Sequence, residues 1–593
     1  VRDRCERKVG WNCIFQKYVK SDIIYNGLRQ KPEKDENMSK KVLIVGGVAG
    51  GASCAARLRR LDENAEIVIF ERGEYISFAN CGLPYHIGGI IKDRDELLLQ
   101  TPESFKSRFN VDVRVFSEVK DIDRKKKKVK VFDRIREIEY EESYDVLVLS
   151  TGSTPMKPPI PGIDGEGIFS LWNIPDMDEI IEYMNNHTVK EAVVVGGGFI
   201  GIEMAENLMD RGIEVTLVEM LDQVMAPLDF DMAQILHRHM AEKGLKLVLG
   251  DGVAEFKQEN DGLSVTTQSG RTIETDMVAL AIGVVPNSEL LKKCGLPLNN
   301  RGGAIIDDSL RTEDPDIYAV GDMVEVTHFV NGEKRMIPLA GPANKMGRMA
   351  ADNICGMNRK YKGSQGTGVV KVFDMTSASV GLNEKDMKSS GMKVGKDYRV
   401  TMIHPGSHAG YYPGASTISL KMLFTPTGEI LGAQAVGFEG VEKRIDVIAT
   451  AQRLGATVYD LEELELNYAP PFSSAKDPVN MAGYTAENIL SGTVDNITCS
   501  QLDEMNGAVI LDVRTPGEVK MGAVPGCINI PVDSLRNRIK EVPEGRPIIV
   551  YCRVGIRAYI ACRILKQNGF EKVYNLAGGY ITYSTVNSDY TLK

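Results

Sequence analysis

The chain runs to 593 residues with a net charge of −10; such a length needs several cores, and the acidic balance excludes a general nucleic-acid binder. No run approaches the ~20 apolar residues that cross a bilayer, and no positive segment with an apolar core and cleavage site opens the chain, which argues against membrane insertion and secretion. Ten cysteines without metal-ligand spacing or a CxxC pair point to reduced thiols in a cytoplasmic protein that holds no metal.

Residues 1–37 read as a weakly ordered, non-native or alternative upstream start, so Cys5 and Cys13 receive no role. Lys41-Val42-Leu43-Ile44-Val45 is a predicted strand that ends in Gly46-Gly47-Val48-Ala49-Gly50-Gly51. A helical stretch from Ala52 to Leu61 follows, then a second apolar run, 67–70, closing on Glu71. Strand, glycine turn, helix, strand and acid form a dinucleotide fingerprint: a pyrophosphate rests on the helix N-terminus and the acid holds ribose hydroxyls. Val48 stands where the second glycine of that fingerprint belongs.

A further strand over 144–149 ends in Ser150-Thr151-Gly152. The fingerprint then recurs: an apolar run leads into Gly196-Gly197-Gly198-Phe199-Ile200-Gly201, a full GxGxxG, and the next strand closes on Glu219. A lone glycine cluster is as often a tight turn, but two copies in βαβ context make that reading inadequate. Strands ending at Gly283 and at Gly321-Asp322 complete the set.

This order resembles the pyridine nucleotide–disulfide oxidoreductase family. The resemblance implies FAD on the first fold, at Gly46, Gly47, Val48, Ala49, Gly50, Glu71, Arg72, Thr151, Gly152, Gly321 and Asp322. It implies NADH or NADPH on the second, at Gly196, Gly198, Phe199, Ile200, Gly201, Glu219 and Gly283. A carboxylate at Glu219 with Met220 beside it bonds a ribose 2′-hydroxyl but repels a 2′-phosphate, which favours NADH. The implied fold class is α/β, with two Rossmann-like dinucleotide-binding domains, an α+β dimerisation domain and a C-terminal α/β domain. Expected boundaries are 38–155 with 284–360 for FAD, 156–283 for the nicotinamide nucleotide, 366–485 for dimerisation, 486–497 for a linker and 498–593 for the tail.

Ser77-Phe78-Ala79-Asn80-Cys81-Gly82-Leu83-Pro84-Tyr85 follows the first acid. Disulfide reductases of the family place a second cysteine where this chain has His86, so Cys81 must find its disulfide partner in another molecule. Pro84 suits a first helical turn, which puts Cys81 near a helix N-terminus; that position and a nearby oxidised flavin predict a lowered thiol pKa. Single-cysteine NADH oxidases and peroxidases carry a histidine in the first glycine loop, which this chain lacks. The chain is similar instead to the coenzyme A–disulfide reductases over 38–484. That resemblance implies coenzyme A as substrate or tightly bound ligand, contacted by Ser53, Arg57, Arg60, Ser77, Asn80 and Lys476. A lysine in some relatives aligns with Phe109, for which Arg108 is a substitute. It also implies a homodimer with shared active sites, in which Tyr411 and Tyr468 reach the partner's centre and hydrogen-bond or protonate a departing sulfur. Tyr412 is expected only to pack.

The tail resembles a single rhodanese domain through Asp512-Val513-Arg514, Gly526-Cys527-Ile528-Asn529-Ile530-Pro531, the loop Cys552-Arg553-Val554-Gly555-Ile556-Arg557, and Leu576-Ala577-Gly578-Gly579. A strand–cysteine loop–helix converges backbone N–H groups on a sulfur, so Cys552, with Arg557 in its loop, is the expected sulfane-sulfur carrier. Cys527 and Cys562 are expected to be inert. The expected activity is NAD(P)H-driven reduction of coenzyme A disulfide, coenzyme A persulfide or polysulfide at Cys81. The rivals are an NADH oxidase or peroxidase with a passive tail, and a redox-sensing binding protein.

Overall fold

Continuous apolar runs, rather than alternating ones, mark strands buried on both faces, and such strands pair in parallel. The computed structural model describes residues 39–260, 262–502 and 504–592; the expected extension over 1–37, with Cys5 and Cys13, lies outside the described residues. The first sheet is ordered Ile317–Ala319, Val146–Leu149, Lys41–Val45, Glu66–Phe70, Asp112–Arg114. Val42 stands opposite both Ile67 and Val146, so the central strand is hydrogen-bonded on both edges. A strand from beyond residue 300 thus closes a sheet begun at residue 41.

The helix after the first glycine turn spans Ala49–Leu61 rather than starting at Ala52, with Gly50 and Gly51 inside its first turn. Gly51 cannot carry a side chain, because a Cβ there would run into the Gly46 carbonyl oxygen. The second fold repeats the plan. Its sheet is ordered Lys246–Leu249, Glu214–Glu219, Glu191–Val195, Met277–Leu280, Ile168–Ser170, and Gly201 lies equally tight against the Gly196 carbonyl.

An antiparallel sheet follows, ordered Gly368–Val372, Met375–Gly381, Ile430–Gly437, Ser419–Phe424, Arg399–Ile403, with the helices Val441–Leu454 and Pro478–Leu490 packed on it. Lys421, fully buried in this sheet, meets Asp229, Asp231 and Glu384 at 3.1, 2.9 and 2.7 Å. Asp231 lies in the helix Phe230–Glu242 of the second nucleotide fold, so this cluster fixes the two units together. Removing one partner would strand buried charge, at a cost of about 3–5 kcal/mol.

The tail forms a parallel sheet ordered Asp495–Ile497, Val573–Leu576, Ile548–Tyr551, Val509–Asp512, Ile528–Asn529. The stretch 486–497 differs from the linker expected there. The helix Pro478–Leu490 enters it and Asp495–Ile497 leaves it as an edge strand. Val494 and Ile497 are buried in the tail's core, which orders the segment. The tail's last helix, Gly579–Val586, packs on Phe230–Glu242. No helix among the described residues is long and apolar enough to cross a membrane.

Candidate active site

The two glycine turns are held open by their own acids. Glu71 accepts the N–H groups of Gly47 at 3.0 Å and Gly73 at 2.9 Å. Glu219 accepts those of Gly197 at 2.6 Å and Leu221 at 2.8 Å. Val48 and Gly198 cap the two following helices without a side-chain bond, and Phe199 and Ile200 occupy the second helix's first turn. First-turn N–H groups are thereby left for an anion. At Gly152, Gly198 and Gly283 an added Cβ would meet nothing within 4 Å, so open space lies where dinucleotides bind such sheets.

Asp322 follows Gly321, which turns at φ 85°, and accepts one long bond from Ser153 Oγ at 3.5 Å. Burial pushes its carboxyl up; an under-partnered acceptor here fits a ribityl hydroxyl. Thr151 Oγ1 donates to the Asn287 carbonyl at 2.5 Å, and the Arg72 guanidinium stacks 5.5 Å from the Trp172 ring centroid. The residues present fit FAD on the first fold and a nicotinamide nucleotide on the second.

Cys81 is exposed in the turn Asn80–Gly82, ahead of the helix Leu83–Ile87. Asn80 Oδ1 lies 3.7 Å from its Sγ. His86 turns its Nδ1 to the Ile91 carbonyl at 2.8 Å, so the position offers no resolving thiol. The lowered pKa expected for Cys81 is not produced by the protein's own groups. Desolvation by the surrounding protein, then Glu203 and Asp322, push the thiol up. Burial and two carboxylates act against the thiolate, and a lowered pKa there needs positive charge or dipoles supplied by a ligand such as the oxidised flavin.

Glu203 was not singled out in the sequence. It sits in the helix Phe199–Asp210, and the Tyr85 hydroxyl donates to its Oε1 at 3.2 Å. Burial pushes this carboxyl up to about 7, with a smaller push from Glu206. The signal available was a glutamate one turn into the second glycine-loop helix.

A pocket of about 480 Å³ opens between the helices Ala49–Leu61 and Ala340–Ile354. Ser53, Arg60 and Ser77, all expected acceptor contacts, line it together. Asn344, Lys345 and Arg348 line it too and have no local motif to announce them. The other two arginines expected there do not. Arg57 forms an ion pair with Asp352 at 2.7 Å. Arg108 is exposed near the end of the helix Pro102–Phe109, whose Phe109 faces the pocket instead. Arg59 is buried by bonds to the backbone carbonyls of Phe109, Asp62, Glu63, Ala65 and Asn110.

Lys476 is exposed and does not line this pocket. Tyr411 and Tyr468 share a hydroxyl–hydroxyl bond of 2.9 Å and are 76% and 48% exposed, while Tyr412 packs edge-on to His408 at 5.7 Å.

In the tail, Cys552 is fully buried and its Sγ accepts the Gly555 N–H at 3.1 Å. Arg557, in the first turn of the helix Ile556–Gln567, clamps Glu518 with bonds of 2.8 and 2.6 Å. That guanidinium pulls the Glu518 carboxyl down to about 2.

Two dinucleotide cradles, a lone thiol between them and a cysteine loop in the tail define a flavoprotein reductase of sulfur substrates. The chain belongs to the pyridine nucleotide-disulphide oxidoreductase family, whose model matches residues 40–347. The family's dimerisation domain matches 367–478 and a rhodanese-like domain matches 498–584, as the α/β reading of the sequence anticipated. A coenzyme A disulfide reductase of Staphylococcus haemolyticus is 37% identical over 452 residues, which is 76% of this chain and 100% of that one. The structure of reduced Bacillus anthracis CoADR-RHD superposes with a TM-score of 0.90 at 50% identity, covering 93% of this chain and 99% of that one. An NAD-dependent persulfide reductase from A. fulgidus gives 0.85 at 39% identity, covering 92% and 100%.

Proposed function

We propose that this chain is a cytoplasmic, homodimeric FAD-dependent reductase that uses NADH to cleave coenzyme A disulfide or persulfide at Cys81, with Cys552 as sulfane-sulfur carrier. The observation that carries the reading is a solitary, exposed Cys81 beside Asp322 and the open glycine cradles, with Ser53, Arg60 and Ser77 lining one nearby pocket. Gly46 to Gly50, Glu71, Thr151, Gly152 and Asp322 hold the flavin, and Gly196 to Gly201, Glu219 and Gly283 hold the nicotinamide nucleotide. When bound, the flavin relays an electron pair from NADH to sulfur.

The thiolate of Cys81 attacks one sulfur of the acceptor, forming a Cys81 mixed disulfide and expelling the other sulfur as thiol or hydrosulfide. Two electrons and one proton then return Cys81 to thiolate and release the second thiol. Tyr411 and Tyr468, reaching across from the partner subunit, donate protons to the departing sulfurs; their mutual bond keeps both hydroxyls at one point. Cys552 takes a sulfane sulfur onto its Sγ within the loop that points the Gly555 N–H at it.

Stopped-flow NADH oxidation against coenzyme A disulfide, coenzyme A persulfide and polysulfide tests this. Cys81→Ser should abolish turnover with all three, while Cys552→Ser should spare coenzyme A disulfide. A Cys81→Ser enzyme that still reduces these acceptors overturns the reading.

A further inference from the structure

We propose that Arg444 is the positioning residue of the tyrosine pair: it locks together the two loops that carry Tyr411 and Tyr468, and so sets how fast a departing sulfur is protonated. The inference rests on the proposal that those two phenols serve the active centre. It assigns a role to a helix residue that belongs to neither loop.

Tyr411 lies between the strands Arg399–Ile403 and Ser419–Phe424, and Tyr468 between the helices Val458–Glu463 and Pro478–Leu490. Both side chains are exposed, and one bond joins their hydroxyls. A single bond open to water does not repay the entropy of holding two loops still. The restraint has to come from beneath them.

It comes from one guanidinium. Arg444 is 2% exposed and sits near the start of the helix Val441–Leu454. Its Nη2 donates to the Ser407 carbonyl at 2.9 Å, just ahead of Tyr411 in the chain. The same nitrogen reaches Ser473 Oγ at 3.3 Å and the buried Asp477 carboxylate at 3.1 Å, just beyond Tyr468. Ser473 Oγ in turn donates to Asp477 at 2.6 Å.

The backbone carries that restraint to the tyrosines. The Ala409 N–H donates to the Ser473 carbonyl at 3.0 Å, which ties the first loop directly to the second. The Ser473 N–H donates to the Ala469 carbonyl at 3.2 Å, so the neighbour of Tyr468 hangs from the same serine. Gly440 caps the helix at φ 68°, where a Cβ would run into Arg444 Nη1. That nitrogen donates instead to the Gly440 carbonyl at 3.0 Å. A planar fork that serves both loops and its own helix cannot be copied by an ammonium.

The placement bears on a proton. One phenol passes its proton to the departing thiolate, the other donates its O–H to the phenolate so formed, and water then restores the proton. Both events need the two hydroxyls at one point, so a loop that drifts costs rate more than binding.

The test measures turnover of coenzyme A disulfide by FAD-loaded Arg444→Lys and Ser473→Ala enzymes, each also in a Tyr411→Phe/Tyr468→Phe background. Lysine keeps the charge beside Asp477 without the fork, and alanine removes only one hydroxyl. With the tyrosines present, kcat should fall about tenfold for Arg444→Lys and about threefold for Ser473→Ala. Flavin content, the KM for NADH and the rate of flavin reduction by NADH should not change. In the background without the phenols neither substitution should cost anything further, because the groups it positions are gone. An undiminished kcat with the tyrosines present, or the same fold loss in both backgrounds, overturns the role of Arg444. Should Arg444→Lys not accumulate as flavin-loaded protein, Ser473→Ala decides by the same comparison. A Tyr411→Phe/Tyr468→Phe enzyme with full kcat overturns the tyrosine reading itself, a distinct result visible before any Arg444 variant is made.

Discussion

The Tyr85 hydroxyl bonds the Glu203 carboxylate at 3.2 Å, tying the helix after Cys81 to the helix that opens on the second glycine turn. Thiol, phenol and carboxyl thus meet where the two nucleotide folds face each other. Lys371 Nζ is spent on Glu206 at 2.5 Å and leaves Glu203 without a cation of its own.

That environment has a pH signature in the flavin-free protein. Burial raises the Glu203 pKa to about 7 from 4.5, so between those values the folded state keeps a proton that the unfolded state has released. Stability is then full below about 4.5 and is lost as pH rises through 7, by up to about 3 kcal/mol, less where water reaches the group. Denaturant unfolding at pH 5, 6, 7 and 8 should show this decline, and Glu203→Gln should flatten it. Parallel wild-type and variant curves would refute the assignment.

The glycine turns separate packing from binding. Gly201 touches the Gly196 carbonyl, so Gly201→Ala should distort the second fold and lower its stability by about 1–3 kcal/mol. Gly198, at φ −80° with free space beyond it, should accept alanine without loss of fold or flavin. The new methyl group would instead occupy the cradle and raise the KM for NADH by about tenfold. Steady-state kinetics with flavin quantitation decides this, and a Gly198→Ala enzyme with normal KM would place the nucleotide elsewhere.

What could be read from the sequence, and what could not, follows from the range of the interactions. Gly46 with Glu71, and Gly196 with Glu219, each act within a single βαβ unit, so spacing alone revealed them. Cys552 and Gly555 lie in one loop and were legible for the same reason. Lys345 and Arg348 join Arg60 only because Gly347 lets two distant helices touch, which no local pattern encodes. Arg57 and Arg60 stand one turn apart with the same chemistry, and only the position of Asp352 separates a structural pair from an open cation. The protein's own pull on the Cys81 thiol was likewise hidden, because burial and the carboxylates Glu203 and Asp322, from remote segments, push it up in the flavin-free protein.

In the tail, the Arg557–Glu518 clamp orients the loop that surrounds Cys552. Glu518→Gln removes the carboxylate charge while keeping the shape, and should lower sulfur transfer from Cys552 to cyanide by about tenfold. NADH-driven reduction of coenzyme A disulfide should be unaffected, since that path does not use Cys552. A matching loss in both assays would mean that the clamp supports the whole fold instead of the loop.

The docking of the tail depends on a neutral histidine. His404 bridges Ser419 Oγ and Thr582 Oγ1 at 2.9 Å each, joining the antiparallel sheet to the helix Gly579–Val586. Burial pushes its pKa down to about 4, so between 6.5 and 4 the unfolded state binds a proton that the docked state refuses. The contact is intact above about 6.5 and weakens as pH falls through 4. Hydrogen exchange over 579–586 should therefore accelerate between pH 6.5 and 4.5. His404→Asn keeps a neutral polar group and should reduce that acceleration, leaving the share due to His237, which is shifted down by burial in the same way. Exchange over 579–586 that is independent of pH in the wild type, after correction for intrinsic rates, would show that His404 does not govern how the tail is held.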